Sequence, residues 1–155
     1  MRKPVLVLLS VALLLLISAC SYTDPVIESL PAYQTKSFYT SGGFQDFTDY
    51  AKYTFESITM QPLVFSDYFR EVNADDVEEI LLHIQNFEQW VDTVGGELKE
   101  NYDFDKSVVS EEDYFYIKTK AGQPIGQGTY DKFDNYTVYY FDLDALTLYY
   151  FHNNI

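Results

Sequence analysis

The sequence predicts an α+β fold: two helices followed by a four-stranded antiparallel β-meander, with the helices packed on one face. Three observations carry that prediction. From Val77 to Val94 apolar residues recur at three- and four-residue steps, the pattern of a helix with one buried stripe. From Asp113 onward the period changes to two, and Tyr, Phe, Val, Ile and Thr dominate, as strands require. The chain also holds 12 Phe, 15 Tyr and one Trp, all after residue 20, which is enough ring area to build a core. Helices first and strands afterwards point to α+β rather than to alternating βαβ units.

The elements follow in order. Arg2 and Lys3 give a basic start, and Val5 to Ile17 form an uncharged run of 13 residues. That is short for a membrane span, which needs roughly 20 apolar residues, and it suits the apolar region of a signal peptide. The run closes on Ile17-Ser18-Ala19-Cys20, which resembles the lipobox of bacterial lipoproteins. The resemblance spans only the leader. It implies cleavage between Ala19 and Cys20, a diacylglyceryl group such as a palmitate-bearing one on the Cys20 thiol, and often acylation of the new amine. It therefore implies an extracytoplasmic body held by lipid on the bacterial cell membrane or outer membrane. An ordinary cleavage site would leave Cys20 as a free thiol outside the cell, a chemical liability that favours lipidation.

Cleavage there removes two of the ten basic residues and none of the 24 acidic ones, so the net charge moves from −14 to −16. Nucleic acid is excluded as a partner, because phosphate binding needs a basic surface. An acidic body is also repelled by anionic headgroups, so the acyl chains must do the holding. With Cys20 acylated no disulfide is possible, and the core must stand alone. No cofactor is expected.

Ser21 to Gly43 reads as a flexible tether: it holds Pro25 and Pro31, ends in Ser41-Gly42-Gly43, and shows no clean period. Fully extended it would reach roughly 70 Å at about 3.3 Å per residue. The alternative is that Val26, Ile27 and Leu30 dock on the domain. A single domain then covers residues 44–155.

Phe44, Phe47, Ala51, Phe55 and Ile58 recur at helical steps and give the first helix. Thr59 to Arg70 contains Pro62 and reads as a connector. Asn73 caps the second helix, Asp75 and Asp76 suit its positive end, and Gly95-Gly96 stops it. Strands follow at Tyr114 to Thr119, more weakly at Pro124 to Tyr130, and at Tyr136 to Asp142 and Leu146 to His152 around Leu143-Asp144-Ala145. The order is comparable to that of cystatin-like folds, an analogy of architecture without shared motifs.

The chain shows no nucleophile motif and no zinc-type spacing. His83 falls between stripe positions of the second helix, and His152 reads as a surface residue near a strand end. Asn101, Asp103, Asp105 and Glu112 match positions 1, 3, 5 and 12 of an EF-hand-type calcium loop. However, Lys106 stands where the loop needs glycine, and a strand follows in place of the exit helix. The more promising feature is the last hairpin, where Tyr139, Tyr140, Tyr149 and Tyr150 place rings on both faces of the sheet. Either both faces are covered or an aromatic surface is exposed, and exposed rings mark binding sites. The expected function is a membrane-anchored binding or accessory module contacting a protein, peptide or glycan through an aromatic-rich sheet face. Catalysis is the less favoured class. The alternatives are a cell-envelope hydrolase using paired carboxylates and a calcium-stabilised surface module.

Overall fold

A computed structural model describes residues 24–43, 46–57 and 61–155; the lipobox, with Ala19 and Cys20, lies outside the described residues. The strands are β1 (Thr35–Gly42), β2 (Phe47–Thr54), β3 (Arg70–Glu71), β4 (Tyr114–Thr119), β5 (Pro124–Ile125), β6 (Gly128–Thr129), β7 (Asn135–Asp142) and β8 (Thr147–Asn154). Four α-helical segments are described: α1 (Pro25–Glu28), α2 (Gln61–Val64), α3 (Ala74–Val94) and α4 (Gly96–Asn101). One antiparallel sheet of six strands runs in the order β1-β2-β8-β7-β4-β3, and β5 and β6 form a separate small ribbon. The mixed, mostly antiparallel class is as expected. The four-stranded meander is not: the sheet has six strands.

Two corrections explain the difference. The first helix expected over Phe44 to Ile58 is a strand over its central part, β2. Phe47, Ala51 and Phe55 are four apart, and four is close to one helical turn and is two strand repeats, so the stripe fits either period. Tyr50 and Tyr53 decide it. Both are buried, and they pack into different core clusters on opposite faces of the sheet. No single helix stripe allows that. The second correction concerns the tether. β1 pairs with β2 along all eight of its residues, from Thr35 opposite Thr54 to Gly42 opposite Phe47. Upstream, the Asp24 carboxylate caps α1 by accepting from the Val26 N–H (2.9 Å), and Val26 and Leu30 are buried at 3% and 7% exposure. From residue 24 the described chain is part of the folded body. A boundary at residue 44 would cut a hairpin in two.

Helix α3 forms as its sequence demands. The Asn73 side chain accepts from the Asp75 and Asp76 N–H groups, and the Asp76 carboxylate accepts from the Asn73 N–H, closing a capping box. Arg70 adds a two-pronged contact to Asp76 at 2.5 and 2.6 Å. Ile80, Ile84, Phe87 and Val91 then pack on Tyr50, Phe115, Tyr136, Val138, Tyr140 and Phe151. Each such side chain contributes roughly 1.5–3 kcal/mol by leaving water.

The other sheet face is covered as well, so helical segments do not lie on one face alone. Val26, Leu30, Phe55, Leu63 and Phe69 pack on Ala51, Tyr53, Tyr114, Tyr139, Phe141 and Leu148. These covers come from α1, α2 and the loops beside them. β7, sandwiched between the two layers, is buried at all eight positions. Its tyrosines satisfy their hydroxyls inside the protein: Tyr136 donates to the His83 carbonyl and Asn86, Tyr139 to Asp24, and Tyr140 to the Val108 carbonyl and Asp113. Rings therefore serve as core on both sides without stranding a polar group.

Candidate functional site

The register of five strands sorts the second face into rows running across the sheet. Lys36, Tyr53, Leu148, Phe141 and Tyr114 form one row, and Phe38, Ala51, Tyr150, Tyr139 and Tyr116 the next. A third, polar row follows: Thr40, Asp49, His152, Thr137 and Lys118. The covering segments bury much of the first row and leave the rows beyond it partly open. There a cleft of about 530 Å³ opens between Asp24, Ile27 and Lys36 on one side and Phe47, Asp49, His152 and Lys118 on the other, floored by Tyr139 and Tyr150. It continues into an extension of about 250 Å³ lined by Phe47, Lys118, Lys120, Asn135, Thr137 and His152, with Thr119 and Asn154 completing the wall. The main cleft is in the size range that encloses small ligands.

Electrostatics differ along the cleft. Burial pushes the Asp49 carboxyl above its ordinary range, while the Thr40 hydroxyl and the facing His152 pull it back. Burial holds His152 below the usual histidine value, with Asp49 opposing. His152 Nδ1 lies 2.8 Å from Thr137 Oγ1 and 2.9 Å from the Tyr136 carbonyl. A carbonyl only accepts, so Nδ1 carries the hydrogen and the neutral ring keeps Nε2 as an acceptor. The Lys36 ammonium stands over the rings of Phe38 and Tyr53 at 5.3 and 5.2 Å. Asp24 closes the rim, one oxygen accepting from Val26 N–H and the other from Tyr139 Oη at 2.7 Å.

No family model, no curated protein and no solved structure matches this chain. The cleft must be read from its own chemistry.

Of the four tyrosines singled out in the sequence, the structure brings only Tyr139 and Tyr150 to this cleft. Tyr140 and Tyr149 point to the helix side, Tyr149 with its ring 4.7 Å from that of Phe104. Tyr139 and Tyr140 are core residues at 2% and 0% exposure, and Tyr149 and Tyr150 are half-buried. The expectation of an open aromatic surface on these rings is thus corrected: both sheet faces are covered, and the opening is a cleft rather than a flat patch. The calcium-loop residues are not gathered. Asp103 is bound by Tyr50 and Lys52, the Asn101 amide donates to the Glu97 carbonyl, and Asp105 caps the turn at Ser107. Among the described residues no three His, Cys, Asp or Glu side chains form a metal-holding group. His83, expected at a boundary or exposed, is buried at 2% exposure, and His152 lines the cleft rather than an open surface.

The residues missed were Lys36, Asp49 and Lys118, together with the role of His152. Each stands on the cleft face by strand parity; for Lys36 and Asp49 that parity is usable only once β1 and β2 are known to be strands. Lys118 and His152 lie on strands the sequence shows but gain meaning only from the neighbours those two strands bring.

Proposed function

We propose that this chain is a lipid-anchored, extracytoplasmic binding module whose ligand site is the aromatic-floored cleft on the second sheet face. The observation that carries the reading is the cleft itself: ring-bearing walls with a few convergent polar groups in a volume suited to a small ligand or a short ligand segment. Asp24 at its rim stands four residues after Cys20, so an acyl anchor at Cys20 holds the cleft on the membrane-proximal side of the body. Among the described residues no helix is long and apolar enough to cross a membrane. This reading places the attachment at the Cys20 lipid.

The test is site-specific crosslinking in native cells, with a photoreactive phenylalanine analogue at Phe38 or Tyr150 and a control at Leu82, an exposed position on α3. Adducts of one mass at both cleft positions, absent at position 82, are expected. The same adducts at all three positions, or none at the cleft, would remove the reading. Detergent partitioning of a Cys20→Ser variant tests the anchor separately.

A hydrolase reading draws on one observation, that Asp24 and Asp49 line the same cleft. Asp24, however, serves the fold, capping α1 through Val26 N–H and accepting from Tyr139 Oη, so the two carboxyls do not act as a free pair. A binding role fits this better than paired-carboxylate catalysis.

A further inference from the structure

We infer that the cleft selects an organic anion, seating the anionic group in the extension beside Lys118 and Lys120 and a ring or other apolar part on the aromatic floor. The inference rests on the cleft being a ligand site and adds the chemical class of the ligand.

The argument is one of charge placement. With 24 acidic and ten basic side chains, a cationic group has many carboxylates to meet. Among the described residues Lys52, Arg70, Lys99 and Lys106 each pair with one. Four others, Lys36, Lys118, Lys120 and Lys132, do not; the first three border the cleft or its extension, and Lys132 stands over the Phe133 ring outside it. The extension is lined by two lysines, a histidine, an aromatic ring and neutral Thr and Asn side chains, with no carboxylate in its wall. In a chain of net charge −14 that is a local reversal of sign. Low-dielectric walls concentrate its field on whatever enters.

The carboxylates of the main cleft stand apart from the extension: Asp24 and Asp49 line the cleft and neither lines the extension. Asp24 accepts from Val26 N–H and the Tyr139 hydroxyl, and Asp49 faces Thr40 and His152. In the extension a cationic group would meet two lysines and no carboxylate among the described residues. An anion finds Lys118 on β4, across from Thr137, and Lys120 just past the strand's end, both lining the extension. Phe47 belongs to both chambers, so a single molecule can rest on its ring while its charge sits in the extension.

The test uses the mature lipoprotein purified in non-ionic detergent and titrated calorimetrically with phenyl phosphate and with phenol, which share a ring and differ in charge. Phenyl phosphate is expected to bind at least about tenfold more tightly, and its affinity to fall with added salt. Lys118→Gln and Lys120→Gln should each weaken phenyl phosphate severalfold, leave phenol unchanged and leave the melting temperature unchanged. Lys132→Gln, which removes the same charge outside the cleft, should change neither. Equal binding of the two compounds, or a loss as large in Lys132→Gln as in Lys118→Gln, would overturn the anion site while the cleft remains a ligand site. Binding of neither compound would count against both.

Discussion

Tyr139 joins the sheet to the segment that covers it. Its ring is core and its hydroxyl donates to Asp24, the cap of α1. Burial and the neighbouring Asp24 carboxylate push that phenol well above its ordinary range, so it stays a donor at any working pH. Tyr139→Phe should cost about 1.5–3 kcal/mol, the usual range for a bond to a charged group, and should raise amide exchange selectively at residues 24–30. Tyr139→Ala removes core volume and should cost about 3–5 kcal/mol of global stability in chemical denaturation. His83 makes a second residue-scale prediction. Its Nδ1 donates to the Glu79 carbonyl, while Nε2 is buried without a partner among the described residues. Burial holds its pKa below the ordinary 6.5. Between those two values the unfolded chain binds more protons, so stability present above pH 6.5 is lost as pH falls through that window. His83→Leu should flatten the fall in melting temperature between pH 7 and 5.5, with His152 supplying a remainder of the same sign. Equal slopes in the two proteins would remove His83 as the cause.

At the scale of elements, the β1–β2 hairpin depends on Gly42. Its φ of +128° and the Asp46 carbonyl oxygen, 2.3 Å from where a Cβ would stand, leave room for hydrogen alone. Gly42→Ala should cost about 1–3 kcal/mol through overpacking and backbone strain, read as a lower melting temperature with early loss of protection in β1. How well each element could be read from sequence follows the agreement of its signals. In α3 the cap, the early acids, the stripe and the terminal glycine all say one thing, and the helix runs from Ala74 to Val94. The β7–β8 hairpin was readable for the same reason, including which rings of each strand point to opposite faces, while the cross-strand register that sets Tyr139 beside Tyr150 was not. β2 was not, because its apolar spacing of four satisfies two periods and its burial on both faces erases alternation. β1 is an edge strand with a mostly exposed pattern, so it carried almost no hydrophobic signal. The candidate site was hidden with them: Tyr139 and Tyr150 were visible, but Lys36 and Asp49 lie on the two strands the sequence disguised.

For the whole molecule the covered second face sets a boundary on truncation. A chain beginning at Ser21 retains every described element and should fold as a monomer. A chain beginning at Phe44 loses β1 and α1, uncovers Tyr53, Phe141 and Leu148, and should aggregate or bind hydrophobic dyes. Size-exclusion chromatography of the two distinguishes these outcomes, and two equally soluble monomers would contradict the cover.

On the proposed lipid anchor, the docked segment from Asp24 onward also changes how far the body can search. With the proposed anchor at Cys20, a 23-residue spacer would let the body roam to roughly 70 Å, whereas the three residues between Cys20 and Asp24, four Cα steps, allow at most about 14 Å. Reach shrinks about fivefold, and the volume swept shrinks with its cube, by roughly a hundredfold. For a partner confined to the same membrane, effective concentration rises by about that factor, so a weak site can stay occupied there. For a partner fixed in a more distant layer, the same shortening makes contact impossible.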